Sequence, residues 1–170
     1  GDCMSHYPNG SLVCIENTSN RGGGTFYPQS SLDEIARVSK ESGCALHVDG
    51  ARIFNAAEAS GEDPARIVRD CDTVSICISK GLGAPVGGVL VGSRSLIDEA
   101  HRWRKMFGGG MRQAGVLAAA GLYALDHNIT RLSDDHKAAS YLESEIKMFG
   151  NVKQILPVET NIVIFDLDDG

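Results

Sequence analysis

An α/β fold with a mostly parallel sheet is predicted by three features of this 170-residue chain. Short apolar runs alternate with helix-period segments between Leu12 and Val91, and the connections between them are short. The run Cys44 to Val48 carries no polar residue except His47, as expected of a strand covered on both faces in a parallel sheet. A net charge of −6, with 42% hydrophobic and 6% aromatic residues, is the composition of an ordinary soluble domain. That balance argues against nucleic acid or an anionic membrane as a partner.

Leu12 to Ile15 is a short apolar strand candidate, and the polar, glycine-rich run 16–25 after it must be loop. Helix follows, because Leu32, Ile35, Ala36 and Ser39 keep the i, i+3, i+4, i+7 spacing, with Ser30 or Ser31 as N-cap and Gly43 as the stop. The strand Cys44 to Val48 ends on Asp49-Gly50. Arg52 to Ser60 is a second helical stretch, and Asp63-Pro64, an N-cap followed by proline at the first helical position, opens a third. Thr73 to Ile78 is the next strand and ends on Ser79-Lys80-Gly81; after a loop containing Pro85 comes a strand from Gly87 to Val91. Crossovers of this length are right-handed, and the alternation predicts a doubly wound sheet.

Three helices then follow without a strand between them. Leu96, Ala100, Trp103 and Phe107 line one face of the first; Ala114, Leu117, Ala118, Gly121 and Leu125 one face of the second. Leu132, His136, Ala139, Leu142, Ile146 and Phe149 line one face of the third, after which Lys153 to Leu156 and Thr160 to Leu167 resume strand character. A polar turn near Asn128 separates the two patterns, so a domain boundary is expected there, with 1–127 in a large α/β domain and 128–170 starting a small α+β one. The longest apolar stretch, Ala114 to Leu125, falls short of the ~20 residues of a bilayer span. Five cysteines without CxxC or Cys/His metal spacing, three of them in apolar runs, read as small buried hydrophobes in a reducing, cytoplasmic compartment. The first residue is not Met, and the last strand pattern stops almost as soon as it forms. The expectation is a central piece of a longer protein.

Val48-Asp49-Gly50 and Ser79-Lys80-Gly81 both close strands with a charge and a glycine. Ligands of open α/β sheets sit outside the carboxyl ends of the strands, so acid and amine address one edge. Strands that are neighbours or next neighbours stand ~5–10 Å apart, which lets the two groups reach opposite ends of a pyridine-sized ring. A lysine that condenses with an aldehyde and a carboxylate that keeps a pyridine nitrogen protonated are what pyridoxal phosphate chemistry needs. The same spacing also admits a structural ion pair or two unrelated strand-end charges. Arg52, three residues past Asp49, returns toward the crevice if a helix opens directly after the strand, and its guanidinium fork suits a carboxylate. The alternative there is a solvated helix charge. Gly22-Gly23-Gly24-Thr25 lacks the lysine of a phosphate loop, and Gly81 to Gly87 is one residue too long for GxGxxG. Both mark places where backbone approaches a ligand or another loop.

The runs His47 to Ala56 and Ser75 to Gly87 resemble the two signature segments of the low-specificity L-threonine aldolases, pyridoxal phosphate enzymes of fold type I. Glu16-Asn17-Thr18, Trp103 to Gln113 and Glu159-Thr160-Asn161 resemble further family segments in the same order. The resemblance implies a partial fold-type-I large domain and a retro-aldol lyase that cleaves L-threonine or L-allo-threonine to glycine and acetaldehyde. It implies that Lys80 bonds the cofactor aldehyde, Asp49 pairs with the pyridine nitrogen and Arg52 holds the substrate carboxylate. It further implies an active-site histidine at His6, and basic residues, Lys105 and Arg112, that approach the site within a homotetramer, Arg112 reaching a phosphate. Solvation of His6, and a basic helix face for Lys105 and Arg112, are the alternatives. Ser19 departs from the histidine the family commonly carries there. His47 is expected to be a satisfied strand histidine beside the site. A phosphate loop, a ring-stacking residue and a second carboxylate-binding arginine are implied by the family but not found in these residues, so weak cofactor binding by the chain alone is expected. A subunit-contact segment with idle site residues, and another fold-type-I β-eliminating lyase or racemase, are the competing readings.

Overall fold

Four strands, β1 (Leu12–Glu16), β2 (Ala45–Asp49), β3 (Thr73–Cys77) and β4 (Gly88–Gly92), form one sheet in sequence order in the computed structural model, which describes residues 10–168. The first three are parallel and β4 is antiparallel to β3, so the mostly parallel expectation holds. The doubly wound expectation is corrected for the described strands. Their order never reverses, and right-handed crossovers then stack successive helices on one face. These are α1 (Gln29–Glu41), α2 (Ile53–Ser60) and α3 (Pro64–Ile67), and Leu32, Ile53, Ala57 and Ile67 from them meet Val48 and Val74 in one core cluster.

The same arrangement corrects the two-sided burial of β2. Leu46 and Val48 are 2% and 1% exposed, whereas Ala45 and Asp49 are exposed and His47 is half-buried. Side chains alternate along a strand, so the helices cover one face only. Cys14 and Cys77 lie on the other face, with His47, Thr73 and Ser75. None of the four described cysteines is fully buried: Cys14 is exposed, Cys44, Cys71 and Cys77 are half-buried, and Cys71 packs against the edge of the core cluster, while Cys3 lies outside the described residues. Burial, helped by the Asp70 and Asp72 carboxylates, pushes the Cys71 thiol up to about 11, which makes it a poor nucleophile.

Helix α1 starts two to three residues earlier than Ser30 or Ser31 would set it, with Pro28 at the N-cap position. Proline presets a helix-compatible φ, and the Pro28 carbonyl accepts from the N–H groups of Ser31 and Leu32 at 2.9 and 3.2 Å. Asp33 of α1 takes both arms of Arg66 of α3 at 2.8 and 2.6 Å, and Gln29 Nε2 donates to it at 3.0 Å. The Arg66 guanidinium above all, then Gln29, hold the Asp33 carboxyl at about 2, below its unfolded value near 4. A carboxyl depressed on folding stabilises fully above the unfolded value and loses that contribution as pH falls from about 4 to 2. Asp33→Asn is therefore expected to lower the urea midpoint at pH 7, with the gap to the parent narrowing by pH 3; a gap independent of pH would contradict the pairing.

Helix α4 (Arg94–Met106) is capped by Ser93 Oγ, which accepts from the Leu96 N–H, and buries none of its residues. Its expected inward face is instead open, with Leu96 41%, Trp103 47% and Phe107 83% exposed. The reason is a lack of neighbours: among the described elements α4 packs chiefly on β4. Helices α5 (Gly115–His127) and α6 (Leu132–Ile146) do contribute to a core, through Ala124 and Leu132 packed with Ile78, Leu82 and Ala84. Leu142 and Phe149, expected inside, are exposed.

Strands β5 (Val152–Ile155) and β6 (Phe165–Leu167) form an antiparallel pair. The expected strand over 160–164 is irregular, and the start of this stretch bonds the loop after β1 instead. Thr160 Oγ1 donates to the Gly24 carbonyl at 2.7 Å and the Phe26 N–H donates to Glu159 at 3.4 Å. A Cβ on Gly24, whose φ is +81°, would collide with Thr160, which confirms close backbone approach at this glycine string. No helix among the described residues is long and apolar enough to cross a membrane.

Candidate active site

Three strand ends meet at one edge of the sheet. The Asn17 N–H, just past β1, donates to the Asp49 carbonyl at 2.9 Å, and the Gly50 N–H donates to the Ser75 carbonyl of β3 at 2.8 Å. Asp49 is the last residue of β2, and the Ala51 N–H donates to its Oδ1 at 3.0 Å. That bond orients the carboxylate across the turn. Strand β3 runs parallel to β2, with Ser75 in register with Asp49, so Lys80 emerges beyond the same edge. Both side chains belong to exposed residues. No ion pair joins them among the described residues.

Beside them on β2, His47 places Nδ1 2.8 Å from Thr73 Oγ1 and Nε2 3.5 Å from Ser75 Oγ. It is the satisfied strand histidine the sequence suggests. Arg52 needs a correction. Helix α2 opens at Ile53 and Arg52 is its N-cap residue, with φ −129°, so the helical i+3 argument does not apply. Instead Arg52 sits at the end of a tight turn, where the Ile53 N–H donates to the Gly50 carbonyl and the Asn55 and Ala56 N–H groups donate to the Arg52 carbonyl.

Lys80 rides on a turn anchored on both sides. Ile78, Leu82 and Ala84 are 8%, 3% and 7% exposed, and they key into Ala124 and Leu132. The Gly83 N–H donates to the Lys80 carbonyl at 2.8 Å and the Ala84 N–H to the Ile78 carbonyl at 3.0 Å. A Cβ on Gly81 would lie 2.9 Å from Leu132 Cδ2, so a larger residue here would have to displace the leucine methyl. Helix α6 also reaches α2: Asn55 Nδ2, in a residue 4% exposed, lies 3.1 Å from His136 Nε2. Burial pushes the His136 imidazole below its ordinary range, against the opposing pull of Glu58 and Asp135, so the ring is neutral and can accept from Asn55.

Lys105, in the last turn of α4, and Arg112, in the connection to α5, are exposed. No hydrogen bond or ion pair among the described residues brings either to Asp49, Arg52 or Lys80. His6 lies outside the described residues. Ser19, at the position that departs from the family, serves a turn: its hydroxyl accepts from the Gly22 N–H at 3.2 Å. Helical spacing put His136 on the inward face of the third helix, but the long-range bonds made by Asn55, Asn128 and Arg131 carry no local pattern that could announce them. Asn17 and Thr18, 1% and 2% exposed, had one signal, a polar pair placed directly after an apolar strand.

A family model described as beta-eliminating lyase matches residues 1–169. The low-specificity L-threonine aldolase 1 of Arabidopsis thaliana is 44% identical over 165 residues, which cover 96% of this chain and 46% of that protein. The low specificity L-threonine aldolase of Escherichia coli (strain K12) is 46% identical over 158 residues, covering 93% of this chain and 46% of that one. Among solved structures, the threonine aldolase of Leishmania major matches with a TM-score of 0.78 at 26% identity, over 91% of this chain and 46% of that one. A methionine gamma lyase from Micromonospora echinospora matches with a TM-score of 0.70 at 18% identity, over 97% of this chain and 48% of that one, and shares the fold. The expected fold-type-I architecture is borne out. The chain spans a little under half the length of the curated relatives it matches. With the family model matched almost from end to end, the chain belongs to the beta-eliminating lyase family.

Proposed function

We propose that this chain carries the lysine-bearing edge of a pyridoxal phosphate-dependent aldolase that cleaves L-threonine and L-allo-threonine to glycine and acetaldehyde. The observation that supports this most is Asp49 and Lys80 at the carboxyl ends of adjacent parallel strands, in a chain 46% identical to an L-threonine aldolase. The donor set suits the cofactor: a carboxylate fixed by a backbone N–H, a lysine on a closed turn, and an open edge between them. When bound, pyridoxal phosphate supplies an aldehyde for an amine and a ring that takes up the electron pair freed by Cα–Cβ cleavage.

The chain's own residues then divide the work. Lys80 Nζ would anchor the aldehyde carbon and, once exchanged for the substrate amine, carry a proton. Asp49 would hold the proton on the pyridine nitrogen. Arg52 would bind the substrate carboxylate and so fix which bond stands ready to break. His6 would accept the hydroxyl proton. Lys105 and Arg112 would serve a neighbouring subunit's site, which fits a homo-oligomer, a tetramer on this reading, and the open apolar face of α4 supports such a contact. The division into a large domain over 1–127 and a small one from 128, and a cytoplasmic setting, belong to the same proposal.

Product analysis tests it. The full-length protein incubated with L-threonine is expected to give glycine and acetaldehyde in equal amounts. Formation of 2-oxobutanoate and ammonia would instead identify an eliminating lyase and overturn the aldolase reading.

A further inference from the structure

The turn that carries Lys80 is held from outside by the connection between α5 and α6. Three consecutive carbonyls of the turn are each taken: Lys80 O by the Gly83 N–H at 2.8 Å, Gly81 O by Arg131 Nη2 at 3.4 Å, and Leu82 O by Asn128 Nδ2 at 2.7 Å. The Asn128 bond is the short one, and it ends on a residue only 3% exposed. Asn128 is itself immobilised. It is the C-cap of α5, and its backbone N–H donates at 2.9 Å to the carbonyl of Ala124, a residue 2% exposed. Arg131 is braced by Asp135 at 3.3 Å but is half-exposed, so its bond to Gly81 is the weaker of the two.

We propose, resting on the role given to Lys80 above, that Asn128 is a positioning residue for Lys80, with Arg131 in support. The relay is short. A buried carbonyl that loses its donor must turn to find another. Turning the Leu82–Gly83 peptide moves the Gly83 N–H, which is bonded to the carbonyl of Lys80 itself. The direction of Lys80 Nζ changes with it, although the Asn128 bond is made to the Leu82 carbonyl and not to the lysine amine. A reacting group must be held within about 0.5 Å of its productive place, so loss of this one bond is felt in turnover rather than in substrate affinity.

The test uses the full-length protein with Asn128→Asp, which keeps the shape and loses the donor, and with Asn128→Ser as a second variant, beside Arg131→Ala and Arg131→Lys. Asn128→Asp is expected to lower kcat about tenfold with KM within about twofold. In the cofactor-free protein, hydrogen exchange at the Gly83 and Ala84 amides is expected to rise about tenfold. Arg131→Ala produces a smaller loss that Arg131→Lys restores. Parental kcat and parental exchange in both Asn128 variants would overturn the inference, as would a lower Tm with kcat unchanged. The exchange readout is independent of the reaction, so failure of the aldolase reading leaves it intact and the two outcomes stay distinguishable.

Discussion

Replacing Lys80 with alanine in the full-length protein is expected to lower threonine cleavage by about 10³-fold or more, with no loss of stability. The two halves of that result have separate physical sources. Lys80 is exposed, and its turn is held by Ile78, Leu82 and Ala84 in the core and by backbone bonds. None of these involves the lysine side chain, so truncation leaves the turn in place. Activity depends on the amine itself. Lys80→Arg keeps the charge but offers a delocalised guanidinium that does not condense with an aldehyde, and it is expected to be as inactive as the alanine variant. A Lys80→Arg protein with more than about a tenth of parental activity would show that charge alone suffices.

Leu132→Ala is expected to be the most damaging change away from the edge, at about 2–5 kcal/mol of unfolding free energy. Leu132 is 0% exposed and joins α6 to Ile78, Leu82, Ala84 and Ala124. The cavity cannot close easily, because Gly81 already lies against the leucine methyl and its backbone is committed to the turn. A total stability of about 5–15 kcal/mol makes that loss a large fraction. The cavity also removes support from beneath the turn of Lys80, so turnover falls as well. Leu132→Met, which conserves volume, is expected to cost less than about 1.5 kcal/mol. Urea unfolding measures both, and a Leu132→Ala cost under about 1 kcal/mol would contradict this account of the second core.

The sequence carried the parts of this fold that are set by local pattern. The four strand runs between Leu12 and Val91, the helix at Leu32 to Ser39, the Asp63-Pro64 start and the Asp49-Gly50 strand end appear where expected, with Lys80-Gly81 in the turn just past β3. What it did not carry depends on partners distant in the chain. Pro28 rather than a serine starts α1, because a preset φ replaces a side-chain cap. Trp103 and Phe107 keep helical spacing yet stay exposed, since spacing defines a face without saying what covers it. Thr160 to Ile164 has strand composition, but Thr160, with Glu159 before it, bonds the loop after β1 instead. At the site, Asp49 and Lys80 were legible as two strand ends sharing an edge, and the topology places them there. Arg52 was legible as a residue but not as an N-cap, and the bonds from Asn128 and Arg131 to the Lys80 turn span 46 and 50 residues, beyond any local pattern.

The central claim is that Lys80 is the residue that bonds the cofactor. Borohydride reduction of the full-length protein with pyridoxal phosphate, followed by peptide mass mapping, tests it most directly. The account predicts one stoichiometric, reduction-stable adduct on the peptide containing Ser79-Lys80-Gly81, absent from Lys80→Ala. An adduct on another lysine with Lys80 unmodified, or no adduct in a protein that still cleaves threonine, would contradict it.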